Sequence, residues 1–214
     1  MTDTDQDFRG KYTQGNRLTR RLLDGFFAAV GELTAGLEIS SAVEIGCGEG
    51  FSTQRLRAML PARVSLEASD VEARLVAAAA ERNPGVHVRQ ESVYDLPRLE
   101  ASADLVLSLE VLEHLDNPVR ALRELCRVSR RWLVVSVPRE PLWRLMNLAR
   151  LKYVASLGNT PGHLNHWTSG GFERFVGRFA MVRAVRRPVP WTIILAERMA
   201  CRMKPEGNRG ETPL

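Results

Sequence analysis

Short apolar runs alternate with amphipathic helical patterns through the first two thirds of the chain. The apolar runs predict five buried strands, at residues 42–45, 63–70, 86–90, 103–109 and 132–137. Apolar side chains at helical spacing predict four helices, at residues 16–36, 51–60, 72–82 and 118–128. Because strands and helices alternate, we expect an α/β domain built on a parallel sheet with helices on both faces.

The last third of the chain has a different pattern. Residues 140–156 read as a helix that is apolar around much of its circumference, and residues 157–167 as a loop with glycine, proline and two histidines. Thr168 is expected to cap a short helix that ends at Val176. Two β-like runs follow, at 179–185 and 190–197, and the polar ends 1–15 and 203–214 are expected to be a flexible arm and a disordered tail.

Composition narrows the class of protein. The chain has 214 residues, 44% apolar and 26% charged, with a formal charge of +5, which are ordinary values for one soluble domain. No apolar run reaches the roughly 18 residues that span a bilayer, and the acidic N-terminus is unlike a secretory signal. We therefore expect a cytoplasmic protein. The arginines are spread along the chain rather than gathered in one block, which argues against a nucleic-acid partner.

The cysteines argue against a metal. Cys47, Cys126 and Cys201 are an odd number, far apart, and form no CxxC pair. This spacing is typical of neither a disulfide framework nor a zinc site, and the sequence predicts no metal.

One turn carries the clearest chemistry. Gly46, Gly48 and Gly50 alternate after the first predicted strand, whereas a dinucleotide fingerprint would place its third glycine where this chain has Phe51. Asp70 follows Gly50 by twenty residues and ends the second predicted strand, where a carboxylate can accept hydrogen bonds from ribose hydroxyls. These features predict a ligand that contains a nucleoside.

Several ordered motifs together resemble one family. They are Val43-Glu44-Ile45-Gly46-Cys47-Gly48-Glu49-Gly50, then Asp70, Asp95-Leu96-Pro97 and Glu110-Val111-Leu112-Glu113-His114-Leu115. Over residues 40–138 the chain resembles the class I S-adenosylmethionine-dependent methyltransferases, most of all the small-molecule branch that includes ubiquinone-biosynthesis-type O-methyltransferases. The resemblance implies a Rossmann-like, doubly wound seven-stranded sheet of order 3-2-1-4-5-7-6 with the last strand antiparallel. It also implies a substrate-binding or lid insertion at residues 139–170.

The resemblance implies a set of contacts with S-adenosylmethionine. Glu44 would accept hydrogen bonds from the turn or from the cofactor ammonium, Asp70 would bind the ribose, and the carbonyl of Leu109 would face the ammonium. Ser92 stands where many relatives carry an aspartate for the adenine amine, so Glu91 or a bridging water would complete that contact. The full implied cofactor set is Glu44, Gly46, Cys47, Gly48, Gly50, Asp70, Val71, Ser92, Val93 and Leu109.

Three histidines are candidate proton acceptors, because methyl transfer to a hydroxyl is helped by a general base. His114 either serves as that base or orders its loop, and His163 and His166 either cap the post-strand loop or reach the acceptor. Trp143, Met146 and Trp167 are the candidate substrate-binding residues.

The segment 140–156 has three interpretations. It could close over an apolar acceptor, rest on a membrane as a basic, tryptophan-bearing helix, or form a dimer interface. We therefore expect a methyltransferase acting on a small apolar or lipid-like acceptor at oxygen. The alternatives are an RNA or protein methyltransferase on the same fold, or a cofactor-binding protein without turnover.

Overall fold

The structure, a computed structural model, describes residues 17–149, 160 and 162–199. Several predicted features lie outside these residues. They are the arm at 1–15, Asn16 as the cap of the helix predicted at 16–36, residues 150–159 of the predicted helix and loop, and the tail at 203–214. No helix in the described part is long and apolar enough to cross a bilayer.

Seven strands form one sheet in the order β3-β2-β1-β4-β5-β7-β6, as expected. The first five pair in parallel, and β7 runs antiparallel to both β5 and β6. The strands are β1 (Ser41–Ile45), β2 (Ser65–Asp70), β3 (His87–Gln90), β4 (Ala103–Leu109), β5 (Ser129–Pro138), β6 (Ala180–Arg186) and β7 (Trp191–Arg198).

In the described part of the chain, six helices and one 3₁₀ turn accompany the sheet. The helices are α1 (Arg17–Thr34), α2 (Phe51–Met59), α3 (Ala73–Arg82), α4 (Pro118–Val128), α5 (Leu142–Ala149) and α6 (Ser169–Val176), and the 3₁₀ turn is Leu112–His114. The predicted cap at Thr168 is present, since its side chain accepts a hydrogen bond from the backbone N–H of Gly171. Asn117 caps α4 in the same way, with its side chain accepting from the N–H of Arg120.

Alternate residues of the central strands enter two separate cores, as the period of a β-strand requires. On one face Leu105, Leu107 and Val134 pack with α1 and α2. On the other face Val106, Val135 and their neighbours pack with α4 and α6. Since every parallel strand ends at one edge of the sheet, the loops after β1, β2, β4 and β5 meet there, and this edge is where open α/β sheets bind ligands.

The main difference from the predicted elements is the length of β5. The apolar run predicts residues 132–137, but the strand covers 129–138. Pairing explains the extension, because Ser129 pairs with Ala103 of β4 and Pro138 with Trp191 of β7. Tertiary hydrogen bonds thus recruit polar and proline residues that have weak strand preference of their own.

Candidate active site

The glycine turn is attached to the end of β2 by its backbone. The N–H groups of Gly46 and Cys47 both donate to the carbonyl of Ser69, at 2.8 and 2.9 Å, and the N–H of Gly48 donates to Asp70 Oδ2 at 2.8 Å. Gly46 has φ +82°, and a Cβ there would lie 2.4 Å from a methyl of Val111. Glycine is therefore needed both for the backbone conformation and for the close approach of the loop after β4.

Glu44 lies beneath this turn with only 1% of its surface exposed. Its Oε2 accepts a hydrogen bond from Thr53 Oγ1 at 2.5 Å, and its Oε1 has no hydrogen-bond partner among the described residues. Burial raises the pKa of the Glu44 carboxyl to about 7, although hydroxyl hydrogen bonds from Ser52 and Thr53 pull it downward. A buried carboxylate oxygen without a donor is a suitable acceptor for a cationic group of a ligand.

Asp70 holds two backbone amides at the carboxyl end of β2. Besides the bond from Gly48, its Oδ1 accepts from the N–H of Glu72 at 3.1 Å. The side chain is nearly buried, and this burial raises the pKa of the carboxyl despite the amide bonds. Each carboxylate oxygen retains acceptor capacity, so the site can still accept hydroxyl hydrogen bonds. Val71, beside it, is 60% exposed and offers an apolar surface for a ring.

The residues expected near adenine are Glu91, Ser92 and Val93, which follow β3. Glu91 is 5% exposed, and its Oε2 forms a 2.8 Å ion pair with Arg98. Ser92 Oγ accepts from the N–H of Tyr94 at 3.3 Å, and Val93 packs against the core that contains α4 and α6. The other oxygen of Glu91, Oε1, is buried and has no hydrogen-bond partner among the described residues. Glu91 and a bridging water therefore both stay open as partners of the adenine amine.

Glu110 belongs to the motif that follows β4, but the sequence assigned it no role of its own. It follows Leu109 at the end of β4 and has φ +60°, a conformation that non-glycine residues rarely adopt. Its carboxylate accepts from the indole Nε1–H of Trp191 at 2.6 Å and from Ser136 Oγ at 3.2 Å. Strained backbone of this kind is frequent at functional sites. A glutamate directly after a central strand was the only available signal.

The structure brings two of the candidate histidines together. The rings of His114 and His163 meet edge to face with centroids 4.9 Å apart, and His114 Nε2 lies 4.0 Å from the Glu113 carboxylate. His114 Nδ1 is 3.0 Å from the carbonyl oxygen of Gly162. Because a carbonyl can only accept, Nδ1 carries the proton in this contact, and the acceptor nitrogen of neutral His114 is then Nε2.

The same cluster also has the chemistry of a metal site. One ligand atom each from Glu113, His114 and His163 lie within 4.8 Å of one another, and carboxylate and imidazole are donors that transition metals accept. The sequence-based prediction of no metal considered only the spacing of the cysteines, and Glu113, His114 and His163 include no cysteine. His166 is elsewhere: its Nε2 is 3.2 Å from the Arg144 guanidinium.

An uncharged groove lies between α1 and α5 beside this cluster. Trp143 packs against Trp191 with ring centroids 6.2 Å apart and against His163 at 6.0 Å, and its indole N–H donates to Thr160 Oγ1 at 2.9 Å. The groove is lined by Thr19, Leu22, Leu23, Trp143, Met146, Asn147, Pro190 and Trp191. Two of the three candidate substrate residues, Trp143 and Met146, thus line one cavity.

Trp167, the third candidate, lies apart from the groove. Its indole packs on Phe172 and Phe175 of α6, with centroids 5.5 and 5.4 Å away. These contacts belong to the core on the opposite face of the sheet from Trp143. The packing alone accounts for an aromatic residue at this position.

Part of the chain is similar to known methyltransferases. Residues 43–132 match the family described as "Methyltransferase domain". A probable S-adenosylmethionine-dependent methyltransferase of Mycobacterium tuberculosis is 35% identical over 98 residues, which cover 45% of this chain and 35% of that protein. A similarly named protein of Mycolicibacterium smegmatis is 32% identical over 88 residues, covering 41% of this chain and 33% of the relative. The chain thus spans about a third of the length of these relatives.

Solved structures agree in fold. A SAM-dependent methyltransferase from Aquifex aeolicus has a TM-score of 0.69 at 16% identity and covers 93% of this chain and 100% of that one. Magnesium protoporphyrin IX methyltransferase from Synechocystis, solved with bound SAH, has a TM-score of 0.65 at 19% identity, covering 92% and 95%. Residues 43–132 thus match a methyltransferase domain, and the named relatives support S-adenosyl-L-methionine as the cofactor.

Proposed function

We propose that the protein transfers a methyl group from S-adenosylmethionine to oxygen of a small, apolar or lipid-like acceptor. One observation carries the proposal: the groove beside the cofactor edge is lined by eight residues, and none of them is charged. Trp191 connects the two sites, because it lines the groove and donates to Glu110 at the end of β4. An acceptor bound in the groove would therefore lie next to the expected methyl donor.

The glycine turn and the acidic residues Glu44 and Asp70 beside it would bind the cofactor. The bare backbone at Gly46, Cys47 and Gly48 would follow the methionine part, and Glu44 would face its ammonium. Asp70 would bind the ribose hydroxyls. Methyl transfer from a sulfonium is an in-line displacement, so most of the protein's contribution is to align the acceptor and exclude water.

The acceptor half rests on the groove and the histidine pair. Trp143 and Met146 would contact the apolar part of the acceptor, and His114 Nε2 would take the hydroxyl proton. A proton acceptor matters for an alcohol or phenol and less for an amine or thiol, which favours oxygen as the site of methylation. The buried Glu113 carboxylate, 4.0 Å from His114 Nε2, would stabilise the imidazolium that forms.

Labelled methyl transfer tests this function. The protein is incubated with methyl-labelled S-adenosylmethionine and a panel of apolar alcohols and phenols, matched by the corresponding amines. Label is expected in the organic extract with hydroxyl acceptors. Transfer to the amines alone would contradict the assignment to oxygen, whereas transfer only to RNA or protein would favour the alternative substrates.

A further inference from the structure

We propose that the protein docks on an anionic lipid bilayer through the mouth of the groove between α1 and α5. This inference rests on the proposed function, since it supplies the route by which an apolar acceptor enters the groove. It concerns residues of α1, α5 and the turn between β6 and β7.

Exposed apolar side chains adjoin lining residues of the groove along the chain on three elements. Leu18 on α1, Leu145 on α5 and Val189 before β7 are 53%, 57% and 46% exposed. Each stands next to a lining residue in the chain: Leu18 precedes Thr19, Leu145 precedes Met146, and Val189 precedes Pro190. Single exposed apolar residues need no explanation, but three around one uncharged groove form an apolar rim.

Positive charge lies beside this rim. Arg17, Arg20 and Arg21 are exposed on the first turns of α1, which carry no acidic residue. The ion pairs that α1 makes within the described chain use Asp24, which bonds Arg55, and Glu32, which bonds Arg186. Within that part of the chain, no ion pair neutralises these three arginines.

An apolar rim beside unneutralised arginines matches the outer layers of an anionic bilayer. Apolar side chains enter the boundary between headgroups and acyl chains, while arginine guanidinium groups contact lipid phosphates. Self-association through the same surface would instead bring the three arginines of each copy toward one another, which costs energy unless acids oppose them. Charge complementarity therefore favours lipid over a second copy of the chain.

Vesicle co-sedimentation tests the docking surface. The full chain is mixed with vesicles of phosphatidylcholine alone or with added phosphatidylglycerol. Sedimentation is expected with the anionic vesicles only, and it should weaken as salt is raised because surface charges are screened. Each arginine near an anionic surface strengthens binding about fivefold, so the triple variant R17E/R20E/R21E should lose more than about 100-fold in partitioning.

The matched control reverses three exposed arginines on the opposite face of the sheet, R123E/R174E/R178E, with the same change in net charge. It should sediment nearly as the unmodified protein does. A second variant, L18S/L145S, should lose binding without any change of charge. Equal loss in both triple variants, undiminished binding by R17E/R20E/R21E, or no sedimentation of the unmodified protein would overturn the proposal.

A separate measurement keeps this inference distinct from the proposed function. Binding of S-adenosylhomocysteine should be the same in all three variants, because none alters the edge that carries the glycine turn. Vesicle binding without cofactor binding would contradict the proposed function and leave the docking surface standing. Cofactor binding without vesicle binding would contradict the docking surface and leave the proposed function standing. Dimerisation that the L18S/L145S variant abolishes would assign the apolar rim to an interface with a second copy of the chain.

Discussion

Replacing Asp70 by asparagine should weaken cofactor binding without unfolding the site. Hydrogen bonds to a charged group contribute about 1.5–3 kcal/mol each. Asparagine keeps one acceptor oxygen for the Gly48 amide, which lies 2.8 Å from the carboxylate, but loses the charge and one acceptor for the ribose. We therefore expect S-adenosylhomocysteine to bind about 10- to 150-fold more weakly by isothermal titration calorimetry.

The stability of the ligand-free protein should change much less than its affinity for the cofactor. Burial raises the pKa of Asp70 in the folded state, so at neutral pH its charge costs stability, and this cost is relieved as the pH falls through the folded-state pKa. The Asp70→Asn variant removes that cost at all pH values, but it also gives up the bond from the Glu72 N–H, because asparagine has a single acceptor oxygen. The two effects oppose each other, so the melting temperature at pH 7 should change little, while the increase caused by S-adenosylhomocysteine should shrink.

Asp104→Asn is the matched control. Asp104 starts β4 at the opposite edge and accepts hydrogen bonds from the N–H groups of Ser40 and Ser41 and from Arg130. Burial alone would raise its pKa, but these bonds outweigh burial and lower the pKa, so the carboxylate stabilises the fold at neutral pH. This variant should melt earlier and bind cofactor normally. Unchanged affinity in Asp70→Asn would refute the role given to Asp70.

Three further predictions concern the rest of the site. Glu44 has a pKa of about 7 and would pair with the cofactor ammonium when it is ionised. The affinity for S-adenosylhomocysteine should therefore fall by up to tenfold per pH unit below pH 7. Titration calorimetry at several pH values measures this fall, and the Glu44→Gln variant should show no such pH dependence. Gly50→Ala should lower the free energy of unfolding, measured in urea, by about 1–2 kcal/mol or more, since Gly50 has φ +79° and a Cβ there would lie 2.9 Å from Ala79 Cα. Gly25→Ala is the control: Gly25 lies in α1 with open space around its Cβ position, so this variant should not be destabilised. His114→Gln should lower kcat by about 10²–10⁴-fold with cofactor affinity retained.

The outcomes that contradict these predictions are equally specific. A pH-independent affinity would place Glu44 away from the ammonium, and normal stability of Gly50→Ala would mean that the turn can relax. The His114 experiment has a second arm, because the same histidine belongs to a possible metal set with Glu113 and His163. Loss of turnover on treatment with a chelator, restored by zinc, would assign the cluster to a metal rather than to proton transfer.

The fold could be predicted from the sequence because its signals are local. Apolar runs fix the strands, and the glycine turn at 46–50 marks where β1 gives way to α2. The caps at Asn117 and Thr168 are also local, since each side chain bonds an amide three residues later. Each of these features depends on neighbours within a few residues, so the chain carries them in its own pattern.

The side-chain contacts within the site join residues that are far apart in the chain, so they could not be predicted from local sequence patterns. Glu110 meets Trp191 across 81 positions, and His114 meets the Gly162 carbonyl across 48. No periodicity connects such pairs, and only the convergence of the loops after β4 and β5 at one edge brings them together. The contacts of Trp167 were equally inaccessible: the sequence predicts substrate binding for this residue, and its ring packs on Phe172 and Phe175.

The most direct test of the central claim is retention of radiolabelled S-adenosylmethionine in equilibrium dialysis. The unmodified protein should retain one equivalent, and unlabelled S-adenosylhomocysteine should displace it, because both ligands share the ribose and amino-acid groups that the β1, β2 and β4 edge would bind. Retention that is absent, or that S-adenosylhomocysteine does not displace, would contradict the assignment of this edge to the methyl donor.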